Sequence, residues 1–373
     1  MCRRGHNVEE GHALSWYISE QCVPKEHSQN LTMSLVLVTG ATGFLGSVIV
    51  DQLLEAGYKV RGTARSSKAV RLRAALASVG SNFEVAVVDD LASSDLTEAF
   101  KGVDFLIHAG SPLPGTAPAD TILTSAISGT ERVLQYALDA GVKKIVVTSS
   151  VATLSRWEDL WEDSNLVLTE NDWNPQTWDE GVSPDATPTE IYMASKKLAE
   201  TTLWNFAKEH PDIDITAILP PAIYGPGGHG QFIDTPANGT NVLVYKLLDG
   251  PKGRPLHDQY PAIVSFAHVN DIARAHVLAL NAPPSNKPKR IIVVAGHFTW
   301  KDATEYLAKK RPELRDRLPV ITGKEKVYET ATYDASSAAR LLGLTDYVGW
   351  KETLEFTIDY ILRREKELGI VQP

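Results

Sequence analysis

Leu35-Val36-Leu37-Val38-Thr39-Gly40-Ala41-Thr42-Gly43-Phe44-Leu45-Gly46 is the stretch from which the rest of the chain is read. Four apolar residues predict a buried strand, and the glycines at 40, 43 and 46 predict a tight turn that opens a helix. Leu45, Ile49 and Leu53, with Val50 and Leu54, follow at helical spacing and put an apolar face on a sheet. Gly57 predicts the helix end, because glycine tolerates positive φ. Such a turn suits a pyrophosphate: glycines let the backbone approach the anion, and N–H groups at the helix N-terminus donate to it. Three glycines alone also fit a purely structural turn, but the strand before and the helix after favour a nucleotide.

Working outward, residues 58–65 predict a second strand whose end would lie beside the adenosine ribose of a Rossmann βαβ unit. A carboxylate there would hold the ribose 2′-hydroxyl of NAD. Here stands Arg65, followed by Ser66, Ser67 and Lys68, which favours NADP; the bland alternative is a solvated loop arginine. A helical stretch with Leu72, Ala75, Leu76 and Val79 leads to a third strand over 83–88, ending at Asp89-Asp90-Leu91. The fourth strand, 103–107, runs into His108-Ala109-Gly110-Ser111-Pro112, where small residues leave room for a cofactor and His108 reads as a packed residue. An amphipathic helix over 120–140 and a fifth strand over 144–148 follow, delivering Ser149 and Ser150. Strands alternating with helices predict an α/β fold, a doubly wound parallel sheet covered on both faces. Ligands bind at the carboxyl edge of such sheets.

Residues 151–189 read as irregular and acidic, with Trp157, Trp161, Trp173 and Trp178 giving the segment its own small core or forming a wall for an apolar substrate. Tyr192-Met193-Ala194-Ser195-Lys196 opens a helix to about Glu209, and 213–219 is a further strand. Beyond Pro220-Pro221 the glycine-rich run Tyr224-Gly225-Pro226-Gly227-Gly228 predicts a mobile loop over a site. The remainder, with a helix near 240–249, a strand over 290–295 and helices near 301–311 and 351–366, reads as a smaller C-terminal substrate-binding lobe. The expected division is a nucleotide domain over 33–219 and a substrate lobe over 220–373, with segments near 264–300 returning to the sheet. Residues 1–32 read as a disordered extension.

The chain has 373 residues, 43% hydrophobic and 22% charged, with a net charge of −9. That is ordinary for a globular protein and argues against a nucleic-acid partner, which needs a basic face. Lys143-Lys144, Lys287 to Arg290 and Lys309 to Arg311 read as solvated surface clusters. There is no run of about 18 apolar residues, the length a membrane span needs, so no membrane partner is expected. The first 32 residues lack the apolar core of a secretory signal. Both cysteines, Cys2 and Cys22, lie there, which removes disulfides and Cys-ligated zinc from the folded part and is compatible with a cytoplasmic setting; no metal site is expected.

Tyr192 and Lys196 are four residues apart, so on a helix they share a face. A tyrosine hydroxyl, ordinarily near pKa 10, needs a nearby cation to act as an acid or base at neutral pH. With Ser150 donating to the same carbonyl oxygen, the three would couple proton transfer to hydride transfer. Val147-Thr148-Ser149-Ser150, Trp173-Asn174-Pro175-Gln176-Thr177-Trp178, YMASKKLAE over 192–200, Tyr224-Gly225-Pro226, His297-Phe298-Thr299 and the TGATGFLG turn together resemble the extended short-chain dehydrogenase/reductases. The likeness covers roughly 34–368 and is nearest to the dihydroflavonol reductase-like branch and the fungal NADPH-dependent carbonyl and methylglyoxal reductases.

The resemblance implies Ser150 as the polarising hydroxyl, with Ser149 as the adjacent alternative, Tyr192 as the acid, and Lys196 as the cation that also holds the nicotinamide ribose. It implies an NADPH site built from Gly40, Thr42, Gly43, Phe44, Leu45, Arg65, Lys68, Asp90, Leu91, Ala109, Ser111, Tyr192, Lys196, Pro220, Ala222 and Ile223. Where relatives carry an asparagine in the helix after the fourth strand, this chain reads Ala126-Ile127-Ser128-Gly129-Thr130, so a relay there would need Ser128 or a water. The expected activity is reduction of a small-molecule ketone or aldehyde by a monomer or homodimer. Alternatives are a nucleotide-sugar epimerase or dehydratase and a catalytically silent NADP sensor.

Overall fold

The computed structural model describes residues 34–112, 117–162, 165–256, 263–285, 288–325 and 330–370; the extension over 1–32 and Lys287 lie outside the described residues. In chain order the strands are β1 (Leu35–Thr39), β2 (Lys59–Ala64), β3 (Phe83–Val87), β4 (Phe105–His108), β5 (Lys144–Thr148), β6 (Val167–Leu168), β7 (Asp214–Leu219), β8 (Ala222–Tyr224), β9 (Ile263–His268), β10 (Lys289–Ile292), β11 (Gly296–Thr299) and β12 (Thr332–Tyr333). The helices are α1 (Phe44–Glu55), α2 (Ser66–Ala75), α3 (Thr97–Phe100), α4 (Ala119–Asp139), α5 (Asp159–Glu162), α6 (Trp178–Gly181), α7 (Pro188–Glu209), α8 (Asn241–Leu248), α9 (Val269–Ala279), α10 (Trp300–Lys310), α11 (Ser336–Leu342) and α12 (Trp350–Glu367). No helix among the described residues is long and apolar enough to cross a membrane.

The main sheet has seven parallel strands in the order β10-β7-β5-β4-β1-β2-β3. The chain winds outward in both directions from β1, so the order reverses between β1 and β4, where a crevice opens at the carboxyl ends. Period-two alternation explains why its central strands carry apolar residues on both faces: Val36 and Val38 join one core cluster with α1 and α9, while Leu37 joins the opposite one with α4 and α7. β5 and β7 repeat this, with Val146 and Ile218 on the first face and Ile145, Val147, Ile215 and Ala217 on the second.

A second sheet, β11-β9-β8, carries the core of a smaller lobe in which Tyr224, Phe266, Phe298 and Trp300 pack with residues of α8, α10 and α12. Helix α9 has no counterpart in the sequence reading. It follows β9 without an intervening glycine or proline, and the His268 side chain, an unusual cap, accepts the Asn270 N–H at its start.

Lys143 is exposed as read, but its neighbour Lys144 and the pair Lys289-Arg290 are not solvated. The Lys144 ammonium is 2.5 Å from Asp214 and bonds the Ala282 carbonyl; Lys289 pairs with the same carboxylate; Lys289 and Arg290 are only 3% and 4% exposed. Strand pairing places Lys144 opposite Asp214, 70 residues on, a partner that no local pattern could identify. Lys309 and Lys310 are exposed as read, and Arg311 pairs with Glu313 and Asp359.

Candidate active site

The glycine turn forms as its sequence requires. Gly40 has φ +73°, and its carbonyl accepts the Gly43 N–H at 2.8 Å. A Cβ on Gly46 would lie 2.1 Å from the Gly40 oxygen, and one on Gly40 would lie 2.8 Å from the Cα of Gly110 at the end of β4. These glycines therefore let β1, β4 and α1 meet at the switch point. Gly43 is the N-cap of α1 and no side chain among the described residues caps this twelve-residue helix, so its first N–H groups can donate to an anion. Thr42, Phe44 and Leu45 are partly exposed around this turn. A dinucleotide pyrophosphate fits the site on those grounds.

Just beyond β2, Arg65 is the exposed N-cap of α2, and its guanidinium makes no hydrogen bond among the described residues. Lys68 is already engaged, donating to the Phe232 carbonyl at 3.2 Å. Asp90 turns back on its own loop, accepting from Ala92 N and Ser93 Oγ, and these bonds hold its carboxyl below the usual range. Leu91 lies over Gly110, beside the switch point. The reading missed Asp89, whose carboxylate accepts from both the backbone N–H and the hydroxyl of Ser66 at 2.8 Å and so fastens β3 to the start of α2. Ala109 and Ser111 follow β4, the latter exposed.

Helix α7 begins four residues before the expected Tyr192. Thr187 and Glu190 form a capping box and Pro188 occupies the first turn, a local signature in T-P-T-E that the reading passed over. Tyr192 therefore lies in the second turn, on backbone already hydrogen-bonded. Helix α7 packs on the 3₁₀ turn Val151–Thr153 that follows Ser150, and the Lys196 ammonium reaches to 3.5 Å from the Thr148 carbonyl at the end of β5 and 6.0 Å from the Tyr192 ring centroid. Behind it, His276 Nδ1–H donates to the Ile272 carbonyl, so its Nε2 accepts from the Thr148 hydroxyl at 2.7 Å. Burial, with the Lys196 charge, lowers the pKa of His108 to about 4; burial lowers that of His276 to about 4. Both are packed neutral histidines.

The two serines are distinguished by their partners. Ser149 donates its hydroxyl hydrogen to Glu200 at 2.5 Å in the core. Ser150 Oγ accepts from Ala152 N at 3.1 Å, which leaves its own hydrogen to donate elsewhere. Pro220 accepts from Val151 N beside the same turn, and Ala222 and Ile223 continue in β8. Ser128 is half-buried on α4, with no side-chain hydrogen bond to Lys196 among the described residues.

Two loops differ from expectation. In the tryptophan-rich segment Trp178 packs with Ile122, Leu123 and Ala194, whereas the Arg290 guanidinium lies 3.8 Å over the ring of Trp173; these two do not share a core. The glycine-rich loop is tied down. Gly228 N donates to Ser47 Oγ at 3.0 Å, His229 contacts Asp51 through both its backbone and ring N–H, and Arg71 lies over Phe232. A Cβ at Gly228 would sit 2.6 Å from the Ser47 oxygen, so this glycine permits close approach to α1.

The profile of the NAD dependent epimerase/dehydratase family matches residues 36–295. A Schizosaccharomyces pombe protein named as the putative uncharacterized oxidoreductase C513.07 is 38% identical over 76% of this chain and 84% of its own length. The NADPH-dependent methylglyoxal reductase GRE2 of Saccharomyces cerevisiae is 31% identical over 88% of this chain and 98% of its own. A crystal structure of the yeast methylglyoxal/isovaleraldehyde reductase Gre2 with NADPH superposes with a TM-score of 0.78, at 29% identity, covering 89% of this chain and 99% of that one. With its glycine turn at the switch point and Lys196 reaching the end of β5, where Ser150 follows, this chain belongs to the NAD dependent epimerase/dehydratase family, in its extended short-chain dehydrogenase/reductase form.

Proposed function

We propose that the protein is an NADPH-dependent reductase of small ketones or aldehydes, with the carbonyl held between the tryptophan-rich segment and the strap over 225–232. One observation carries this reading: among neighbouring hydroxyls, that of Ser149 is spent on Glu200 while Ser150 keeps its hydrogen at the carboxyl end of β5, the end that Lys196 also reaches. When bound, NADPH supplies a hydride. Ser150 then donates a hydrogen bond to the substrate oxygen, Tyr192 gives it a proton, and the Lys196 ammonium stabilises the tyrosinate that is left. The free N–H groups at the start of α1 hold the pyrophosphate, and Arg65 pairs with the 2′-phosphate. The names and NADPH dependence of the fungal relatives support the cofactor and the reaction class.

The test is NADPH oxidation across aryl ketones, 2-oxoaldehydes, dihydroflavonols and β-keto esters, with nucleotide sugars as the competing class, followed by Tyr192→Phe on the best substrate. The ring stays, so fold and NADPH affinity should persist while kcat drops by about 10² to 10⁴. A variant that keeps more than about a tenth of wild-type turnover would remove Tyr192 from the proposed role, because that lies outside the range of acid catalysis.

A further inference from the structure

We infer that Arg290 is a positioning residue that sets the Ser150 hydroxyl and joins it to the helix carrying Tyr192 and Lys196. This rests on the Ser150–Tyr192–Lys196 reading above. Arg290 stands on the edge strand β10, is 4% exposed, and distributes its guanidinium hydrogens over three separate segments. Nε donates to Glu200 Oε1 at 2.6 Å, one turn beyond Lys196 on α7. One terminal nitrogen donates to the Glu170 and Asp172 carbonyls, each at 2.7 Å; the other donates to Thr153 Oγ1 at 2.9 Å. Its central carbon lies 3.8 Å over the ring of Trp173.

Each contact leads back to the serine turn. The Thr153 hydroxyl, held by Arg290, donates its own hydrogen to the Ser150 carbonyl at 2.9 Å. Asn174, next to Trp173, donates its backbone N–H to the Thr153 carbonyl and its side-chain amide to the Ala152 carbonyl. Glu200, held by Arg290 and by Trp204 Nε1, takes the Ser149 hydrogen. The same network thus retires Ser149, fixes the backbone of Ser150 from its carbonyl side, and anchors the segment that carries Trp173. A buried arginine–glutamate pair is a poor device for stability alone, since apolar residues of equal volume do as well or better. Its use here is to hold elements from distant parts of the chain in one register.

The experiment compares Arg290→Lys, Thr153→Val and Ser150→Ala, with the double variants, on the best substrate of the carbonyl panel. Arg290→Lys keeps a charge for Glu200 but loses the planar fork. Thr153→Val keeps the ion pair whole and removes only the hydroxyl between Arg290 and Ser150, so it carries the test if Arg290→Lys does not fold. NADPH affinity, read by fluorescence titration, should change by less than about twofold while kcat falls about tenfold to a hundredfold, the scale of small misplacements of a reacting group. Ser150→Ala should cost far less in either background than in the wild type, because a misplaced hydroxyl has little left to lose. If instead both variants lower the urea midpoint but keep kcat per folded molecule, and Ser150→Ala costs the same in every background, Arg290 is structural and the inference is overturned alone. Full turnover in Ser150→Ala by itself would overturn the Ser150 reading and this inference together, a distinct result.

Discussion

At the scale of single residues the chemistry turns on which polar groups are already committed. Lys68 and Asp90, both expected at the cofactor, spend their side chains on Phe232 and on the loop over 90–93. Arg65 is exposed at the start of α2, with Asp89 occupied by Ser66 beside it. Reading of the 2′-phosphate should therefore rest on Arg65 more than on Lys68. A guanidinium–phosphate hydrogen bond contributes about 1.5 to 3 kcal/mol, so Arg65→Ala should weaken NADPH use roughly tenfold to a hundredfold and leave NADH use nearly unchanged. Steady-state kinetics with both cofactors checks this, and equal losses would show that Arg65 does not read the phosphate.

At the scale of elements, two helix starts have opposite tolerances. Helix α1 begins at glycines packed against backbone, and a methyl on Gly46 would have to displace the Gly40 carbonyl at 2.1 Å. Gly46→Ala should therefore distort the turn: fluorescence titration should find NADPH affinity down by at least about tenfold, equivalent to about 1.4 kcal/mol, and unchanged affinity would mean that α1 can shift without cost. Helix α7 begins at an exposed capping box, with Tyr192 already a turn inside. Thr187→Ala should cost about 1 kcal/mol in urea denaturation and leave kcat near the wild-type value. A large loss of kcat with full stability would place the cap in the site itself. The strap over 225–232 belongs to this scale too: its glycines looked like flexibility in sequence, yet Gly228 provides a close fit against α1.

At the scale of the whole molecule, burial lowers the pKa of His108 at the end of β4, of His268 at the start of α9 and of His276 on α9 to about 4. The unfolded chain titrates these near 6.5, so between roughly pH 6.5 and 4 it binds more protons than the native state and stability rises with pH. Their contribution is complete above about pH 6.5 and declines on acidification by up to about 4 kcal/mol per pH unit. Urea midpoints should drop clearly from pH 7.5 to pH 5, and equal midpoints would mean that these imidazoles are not held neutral. What the sequence by itself determined was whatever neighbours along the chain can express: the glycine turn, the alternation that predicts a parallel sheet, and the shared helical face of Tyr192 and Lys196. Even there it placed the start of α7 late and did not register α9, whose cap is a histidine. Only the tertiary structure bonded Ser149 to Glu200, put Arg290 in the core and bound the strap to α1. The physical reason is distance along the chain: Ser149 meets Glu200 across 51 residues, Arg290 meets Thr153 across 137, and Gly228 meets Ser47 across 181, contacts fixed by strand order and by no local pattern.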